Sequence, residues 1–503
     1  MTNDLDVKKK QLFEKEPILK AIFSLAVPSI IGQLILVIYN MTDTFFIGQA
    51  SKLIDPSLSS DLVAGVTICM PIYMILSAIS NLFGIGAASV ISRSLGKGNP
   101  ERAKNSSRFA FYGCLFSSIF YCLLVLLFST PLAKFLSGGS IETTHFAKQY
   151  IIYCVVIFGV PTAINTLFSH LIRAQGQSLH ASIGIAIGGV LNCALDPLFI
   201  FVLFPIEKAA IAAALATGIS NTIALLYYLF LFYFQRKHLV ISLKFSKKAF
   251  KEAIPSEVFR IGLPACLMTL CENISYMILD NLVGTVIIAN GKTVLALEQS
   301  AAALAGVGVA KKINMVAHSV VRGMSQGVLP LIGYNKSSGN RKRMAKIVYV
   351  SGAISLIISS ICLVVSLIFA NDLSKIFVHE EESIQRASEF LKILCIGAPF
   401  SAISYTIISF FQAVGKAIRS LVLALLRKGI LDIPLMYLFY FLAIISGDKY
   451  GPELILWATP IADIICCISS LTLFFIYLKH NGQNKYQETP SLIKQNETIN
   501  LGE

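Results

Sequence analysis

Charge is scarce in this chain. Only 14% of its 503 residues are Asp, Glu, Lys or Arg, where a soluble protein carries about a quarter. That shortage, with 55% hydrophobic residues, excludes an ordinary soluble domain. The eleven cysteines all lie in apolar segments and none forms a CxxC pair, so neither a zinc site nor a disulfide framework is indicated. No His/Asp or Ser/His constellation, metal motif or soluble catalytic domain is present, and an enzyme is not expected. His170 and His318 lie within apolar segments without a metal-ligand neighbour, which favours packing roles. The glycines of SNLFGIGAASVISRSLGKG (80–98) are not followed by a Walker lysine-serine; close helix packing explains them better. The start, MTNDLDVKKKQLFEKEP, is too polar for a cleaved signal, and the first apolar run reads as a retained anchor.

What is abundant is hydrophobic length. Runs of about twenty or more residues are long enough to cross the ~30 Å hydrocarbon core as helices. Twelve spans are expected, near 20–48, 62–92, 107–136, 146–172, 181–204, 209–235, 257–285, 303–333, 346–370, 387–413, 417–445 and 454–478. The span at 303–333 is interrupted by Lys311, Lys312 and Arg322. With the N-terminus inside, the inner segments hold 28 Lys and Arg and the outer segments 9. That bias predicts both termini in the cytoplasm of a plasma-membrane protein. The net charge of +14 then reflects orientation and contact with anionic headgroups, not nucleic acid.

The chain also repeats itself. LAVPSIIGQLILVIYNMTD (25–43) is echoed by IGLPACLMTLCENISYMIL (261–279), and Pro28 and Pro264 are 236 residues apart. RAQGQSLHAS (173–182) is echoed by QAVGKAIRSL (412–421), with Gly176 and Gly415 239 apart. GNPERAK (98–104) resembles GNRKRMAK (339–346). Six spans per half is an even number, so both halves enter the membrane from one side. The expected architecture is all-α: two six-helix lobes related by a pseudo-two-fold axis along the membrane normal. The parts are an N-terminal segment (1–17), a first lobe (18–235), a linker (236–256) with a short interfacial helix around Lys247–Lys251, a second lobe (257–480) and a polar, disordered tail (481–503).

Polar groups inside a membrane are costly and need a reason. In the first half these are Asp43, ending YNMTD, and Asn192 and Asp196 in VLNCALDP. At ~1.5 Å of rise per residue, Asp43 stands roughly 35 Å and Asp196 roughly 24 Å above the inner surface. Asn192 and Asp196 share a helix face. Two carboxylates and an amide oxygen could hold Na⁺, or share a proton; as plain helix-end acids, Asp43 and Asp196 would do neither. Tyr39, one turn before Asp43, is placed in the cavity. In the second half, Glu272 and Asp432 both stand roughly 22 Å up. Lys428 and Asp432 are spaced as an i,i+4 pair. Glu272 has no local partner, and a contact with Arg322 across the cavity is expected.

These residues resemble those of the MATE (multidrug and toxic compound extrusion) family of secondary transporters, over about residues 18–480. The carrying segments are P28…MTDTFFIG, GIGAASVISRSLGKGN, RAQGQ, LNCALDPLFIF, GLPACLMTLCEN, RGMSQGVLPLIGYN and QAVGKA. The resemblance implies a V of two lobes and efflux of amphipathic, often cationic compounds, driven by inward Na⁺ or H⁺. Asp43, Asn192 and Asp196 match the acid and Asn-x3-Asp positions of the DinF-type branch, and Thr217 stands nearest to that branch's span 6 threonine. Glu272, eight residues after Pro264, matches the span 7 glutamate of the NorM-type branch. The five cations Lys311, Lys312, Arg322, Arg427 and Lys428 depart from what a handler of cations needs. The function expected is an ion-coupled antiporter working by alternating access, with Asp43, Asn192, Asp196 and Thr217 at the ion and Tyr39, Gln33, Glu272 and Arg322 at the substrate. Its partners are small amphipathic substrates and the bilayer, its state a monomer, and its only cofactor the coupling ion. The basic second lobe supplies an alternative, a flippase for a lipid-linked or anionic amphipathic substrate.

Overall fold

The computed structural model describes residues 10–487 except 56–57, 236–238, 252, 291–293, 379 and 447–450. Among these, every regular element is a helix. The first lobe consists of α1 (Ile18–Ala50), α2 (Ser59–Gly96), α3 (Pro100–Leu127), α4 (Ile141–Ile157 continued by Gly159–Arg173), α5 (Ser178–Leu203) and α6 (Ile206–Phe234). The second consists of α7 (Ile254–Ile287), α8 (Val294–Ser337), α9 (Arg341–Ile368), α10 (Glu381–Ala413), α11 (Ala417–Ser446) and α12 (Glu453–His480). Ten of these are long and apolar enough to cross a membrane, and bent α4 makes an eleventh. Helix α8 completes the twelve; it runs for 44 residues with Lys311, Lys312 and Arg322 in its interior. Many large apolar side chains, such as Phe120, Leu127, Phe230 and Ile361, face outward, as a lipid-bathed surface requires.

The two lobes meet through one contact made twice. Helix α1 packs on α8 and α7 packs on α2, as a two-fold exchange of the lobes demands. Glycine sets the separation. A methyl group on Gly262 would overlap the Leu82 carbonyl oxygen, and one on Gly327 would lie 2.7 Å from the Ala26 Cα. Without side chains there, the backbones approach closely and gain the dispersion contacts that hold helices together in lipid. These contacts lie on the face that carries the starts of α1 and α7. On that face Arg93 and Arg102 both pair with Glu257, the former at 3.3 Å, and Ser89 donates to the Gln412 carbonyl at 2.5 Å. The segment before α1 crosses to the second lobe. Phe13 stacks on Tyr334 with ring centroids 4.7 Å apart, and Arg343 donates to the carbonyls of Phe13 and Glu16 at 2.9 and 2.6 Å.

The repeated short motifs are turns. Gly98 and Gly339 have φ of +67° and +83°, and Gly176 and Gly415 have φ of +83° and +76°, a region other L-residues seldom adopt. Asn99 and Asn340 follow as N-caps, accepting from the backbone N–H of Arg102 and Arg343 at 2.9 and 3.1 Å. Each motif therefore ends one helix and starts the next.

Several local features differ from the expected spans. Helix α4 is not one straight span over 146–172; it bends by 53° between Ile157 and Gly159. The Ile151–Ile157 turn is π-helical, and Pro161, lacking an N–H, cannot continue the ladder. Helix α11 is π-helical over Leu426–Leu431, the segment that holds the buried Arg427 and Lys428. The linker forms one helical turn, Lys248–Lys251, and lies on the first lobe, where the Val240 N–H donates to Gln175 Oε1 at 2.6 Å. Residues 236–238 and 252 of the linker, 1–9 of the N-terminal segment and 488–503 of the expected tail fall outside the described residues, while the last helix continues to Gln487.

The glycine contacts give a direct test. Gly262→Ala is expected to destabilise the protein by about 1–3 kcal/mol, the usual effect of overpacking. Gly48→Ala, where nothing lies within 4 Å, should leave thermal unfolding in detergent unchanged.

Candidate functional sites

Helix α1 lies against α5, and glycine again allows the approach. A methyl on Gly189 would meet the Ile35 side chain at 2.5 Å and the Tyr39 ring at 3.4 Å. This brings Asp43 of α1 into the electrostatic surroundings of Asp196. Asn192 and Asp196 are both buried on α5. The Asn192 amide donates to Asp196 Oδ1 at 3.2 Å and to Thr217 Oγ1 of α6 at 3.2 Å. Tyr39, Tyr73 and Tyr150 gather around this group, together with Cys154. Three buried oxygens face no donor among the described residues: Asp43 Oδ1, Asn192 Oδ1 and Asp196 Oδ2. A buried acceptor without a donor costs about 1–3 kcal/mol. Buried acceptors left without donors suit a cation, whether a bound metal ion or a proton.

In the second lobe Arg322 of α8 pairs with Glu272 of α7, the contact expected from their depths. Lys428 meets Asp432 at 2.7 Å; Asp432 also accepts from Ser275 at 2.6 Å and Thr459 at 2.9 Å. Arg427 meets Asp463 of α12 at 2.7 Å, with the two side chains 1% and 2% exposed. Lys311 pairs with Asp280. Two tyrosines bind the network together. The Arg427 and Arg322 guanidinium carbons lie 4.4 and 5.7 Å from the Tyr405 ring centroid, and Lys428 and Lys311 lie 5.4 and 5.6 Å from that of Tyr276. Four of the five cations that make this lobe look basic are thus each matched by a carboxylate. The fifth, Lys312, has no carboxylate within 4 Å among the described residues; across the lobe boundary it senses Asp43. The antiparallel register of α1 and α8 explains this: Gly327 meets Ala26 and Gly323 meets Ile30, which puts Asp43 opposite residue 310.

Between the lobes lies a cavity of about 70 Å³ lined by α2, α4, α7, α8 and α10. Glu272 and Arg322 stand on its wall. Gln33 reaches its edge through a 3.4 Å hydrogen bond to Gln326. Tyr39 stands apart from them, beside Asp43 and Tyr73. His170 lines the cavity but is engaged with Asn81 at 3.1 Å. His318 is held between Asn314 at 3.3 Å and Ser401 at 3.2 Å.

Sequence reasoning missed Asp463 and its partner role, although an acid in the apolar run PIADIICC (460–467) is the same signal that marks Asp196. It also counted Arg173 among the basic residues of an inner loop. The structure makes Arg173 the last residue of α4 and buries it to 2% exposure, facing the cavity.

The MatE family model matches the chain in two stretches, residues 28–198 and 264–438. The chain belongs to the MatE family. The two stretches begin at the two repeat-defining prolines, so the duplication and the family domain coincide. The MatE chain is 27% identical to the multidrug export protein MepA of Staphylococcus saprophyticus over 473 residues, 93% of this chain and 97% of that one. It is 26% identical to the MepA of Staphylococcus aureus strain MRSA252 over the same 93% and 97%. Among solved structures, an outward-facing multidrug resistance MATE family transporter of the MOP superfamily superposes with a TM-score of 0.79 at 21% identity, over 95% of this chain and 99% of that one. A MOP superfamily transporter from Pyrococcus furiosus gives 0.78 at 21% identity, over 94% and 98%. This MatE protein is therefore a multi-pass membrane transporter and not an enzyme.

Removing one member of a buried ion pair costs about 3–5 kcal/mol, because the other charge is left unmatched. Asp463→Asn is expected to lower the thermal stability by that order, and Arg427→Leu with Asp463→Leu to restore most of it. For Glu272 and Arg322, each change to Gln alone should abolish transport and the double change recover part of it; strictly independent losses would argue against a functional pairing.

Proposed function

We propose that this MatE transporter exports small amphipathic molecules, cationic drugs and toxins among them, by alternating access between its two lobes, driven by inward movement of H⁺ or Na⁺. The observation that carries the coupling site is the trio of donorless buried oxygens on Asp43, Asn192 and Asp196. Asp43 and Asp196 take the coupling ion, and Asn192 and Thr217 complete its polar surroundings. Neutralising the two acids removes a repulsion between α1 and α5. It also removes the attraction between Asp43 and Lys312 of the opposite lobe, so the relative free energies of the two lobe arrangements change with ion occupancy. Coupling arises from that difference in affinity between states.

The substrate cavity is the space between the lobes, with Glu272 and Arg322 on its wall and Gln33 at its edge. The MepA relatives are named as multidrug export proteins, which supports drug-like cargo. The termini lie in the cytoplasm, as the lysine and arginine bias favours; the closely packed face is then the inner one. The flippase alternative drew on an excess of cations in the second lobe; pairing of four of the five with Glu272, Asp280, Asp432 and Asp463 weakens that argument.

The test is dye efflux from everted vesicles under separately imposed Na⁺ and pH gradients. Asp43→Asn should abolish gradient-driven transport while the purified protein stays folded. Wild-type efflux by that variant would sink the site assignment, and the gradient that drives the wild type identifies the ion.

A further inference from the structure

The cavity between the lobes carries an imbalance that cation export does not use. Two guanidinium groups, Arg173 and Arg322, line it, against one carboxylate, Glu272. Glu272 is taken by Arg322. Arg173 is 2% exposed and has no carboxylate within 4 Å among the described residues. Its one hydrogen bond runs from Nη1 to Gln326 Oε1 at 2.9 Å, leaving Nε and Nη2 without partners. Three further unpartnered polar atoms belong to cavity-lining residues: Arg322 Nε, Gln412 Nε2 and Ser325 Oγ. An unmatched charge buried in a membrane protein costs several kcal/mol, and unmade hydrogen bonds at buried donors add to it. The first-lobe cluster is the reverse case: its unpartnered atoms, on Asp43, Asn192 and Asp196, are all acceptors.

From this donor set we infer that the cavity holds a built site for one anionic group, a carboxylate or phosphate, carried on an amphipathic molecule. Arg173 supplies the charge and two N–H donors in a fork, the geometry that suits such oxyanions. Gln412 Nε2, Ser325 Oγ and Arg322 Nε supply the remaining donors. The lining charge of two cations and one anion is balanced by a single negative group. Apolar neighbours Ile85, Met268 and Ile408 give the rest of the molecule a hydrocarbon-like wall. The site thus admits zwitterionic and anionic amphiphiles beside cationic ones. The inference rests on the proposed role of this cavity as the transport path, but binding is measured without a gradient, so the two readings fail separately.

The experiment is thermal stabilisation of the purified full-length protein in dodecyl maltoside. It is titrated with inorganic phosphate, dodecyl phosphate or dodecyltrimethylammonium. Saturable stabilisation by dodecyl phosphate is expected. Arg173→Gln should weaken it about 10- to 100-fold, the worth of a hydrogen bond to a charged group, with Arg173→Lys intermediate. Gln412→Leu should weaken it by a smaller factor, and it carries the test if Arg173→Gln does not fold. Equal stabilisation by inorganic phosphate, lost in the same variants, supports the anion site while assigning it to free anions and overturning the amphiphile. Absence of stabilisation by either anion, or stabilisation unchanged in Arg173→Gln and Gln412→Leu, overturns the proposal.

Discussion

A charge removed from water must be matched, and most of the second lobe is arranged around that requirement. Glu272, Asp280, Asp432 and Asp463 each face one cation, and Tyr276 and Tyr405 lend their ring faces to the cations as well. The π-helical turn in α11 carries two of these cations, Arg427 and Lys428, both buried. Matched pairs of this kind contribute little net stability. They restrict which packings are tolerable, because any shift that separates a pair exposes an uncompensated charge to a low-dielectric interior.

The first lobe leaves its acids unmatched. Asp43 and Asp196 have an amide, a threonine hydroxyl and tyrosines around them, but among the described residues no cation in direct contact. One ancestral frame has thus been settled in two opposite ways. The copy with fixed internal counter-charges is suited to hold its arrangement whatever the ion concentration. The copy with open acids is the one the proposed ion coupling uses. Lys312 joins the two, since it belongs to the matched lobe and senses the acid of the other.

Much of this was legible in the sequence, for reasons that are local. Apolar length fixed the spans, and glycine-asparagine turns made the duplication readable, because φ > 0 and N-capping tolerate few residue types. Asn192 and Asp196 were placed on one face by a four-residue spacing, and Glu272 and Arg322 by depth alone. What escaped depended on tertiary context. Arg173 reads as a loop cation because composition cannot tell a buried turn from a solvated one. The pairing of the second lobe's interior cations was hidden because Asp280 and Asp463 lie far along the chain from Lys311 and Arg427. The bend in α4 needed both the π-helical turn and Pro161, and neither alone disrupts a hydropathy pattern.

The crossing of the first helix's leader to the other lobe has a mechanical consequence. Phe13 and Glu16 are clasped by Tyr334 and Arg343 at the foot of α8 and α9, while the chain immediately after them is α1. The leader is therefore a tether whose two anchor points sit on opposite sides of the seam. If the seam widens at that end, either the clasp lets go or α1 is drawn after the second lobe, so the opening angle is limited by the slack in the single extended joint at Glu16 and Pro17.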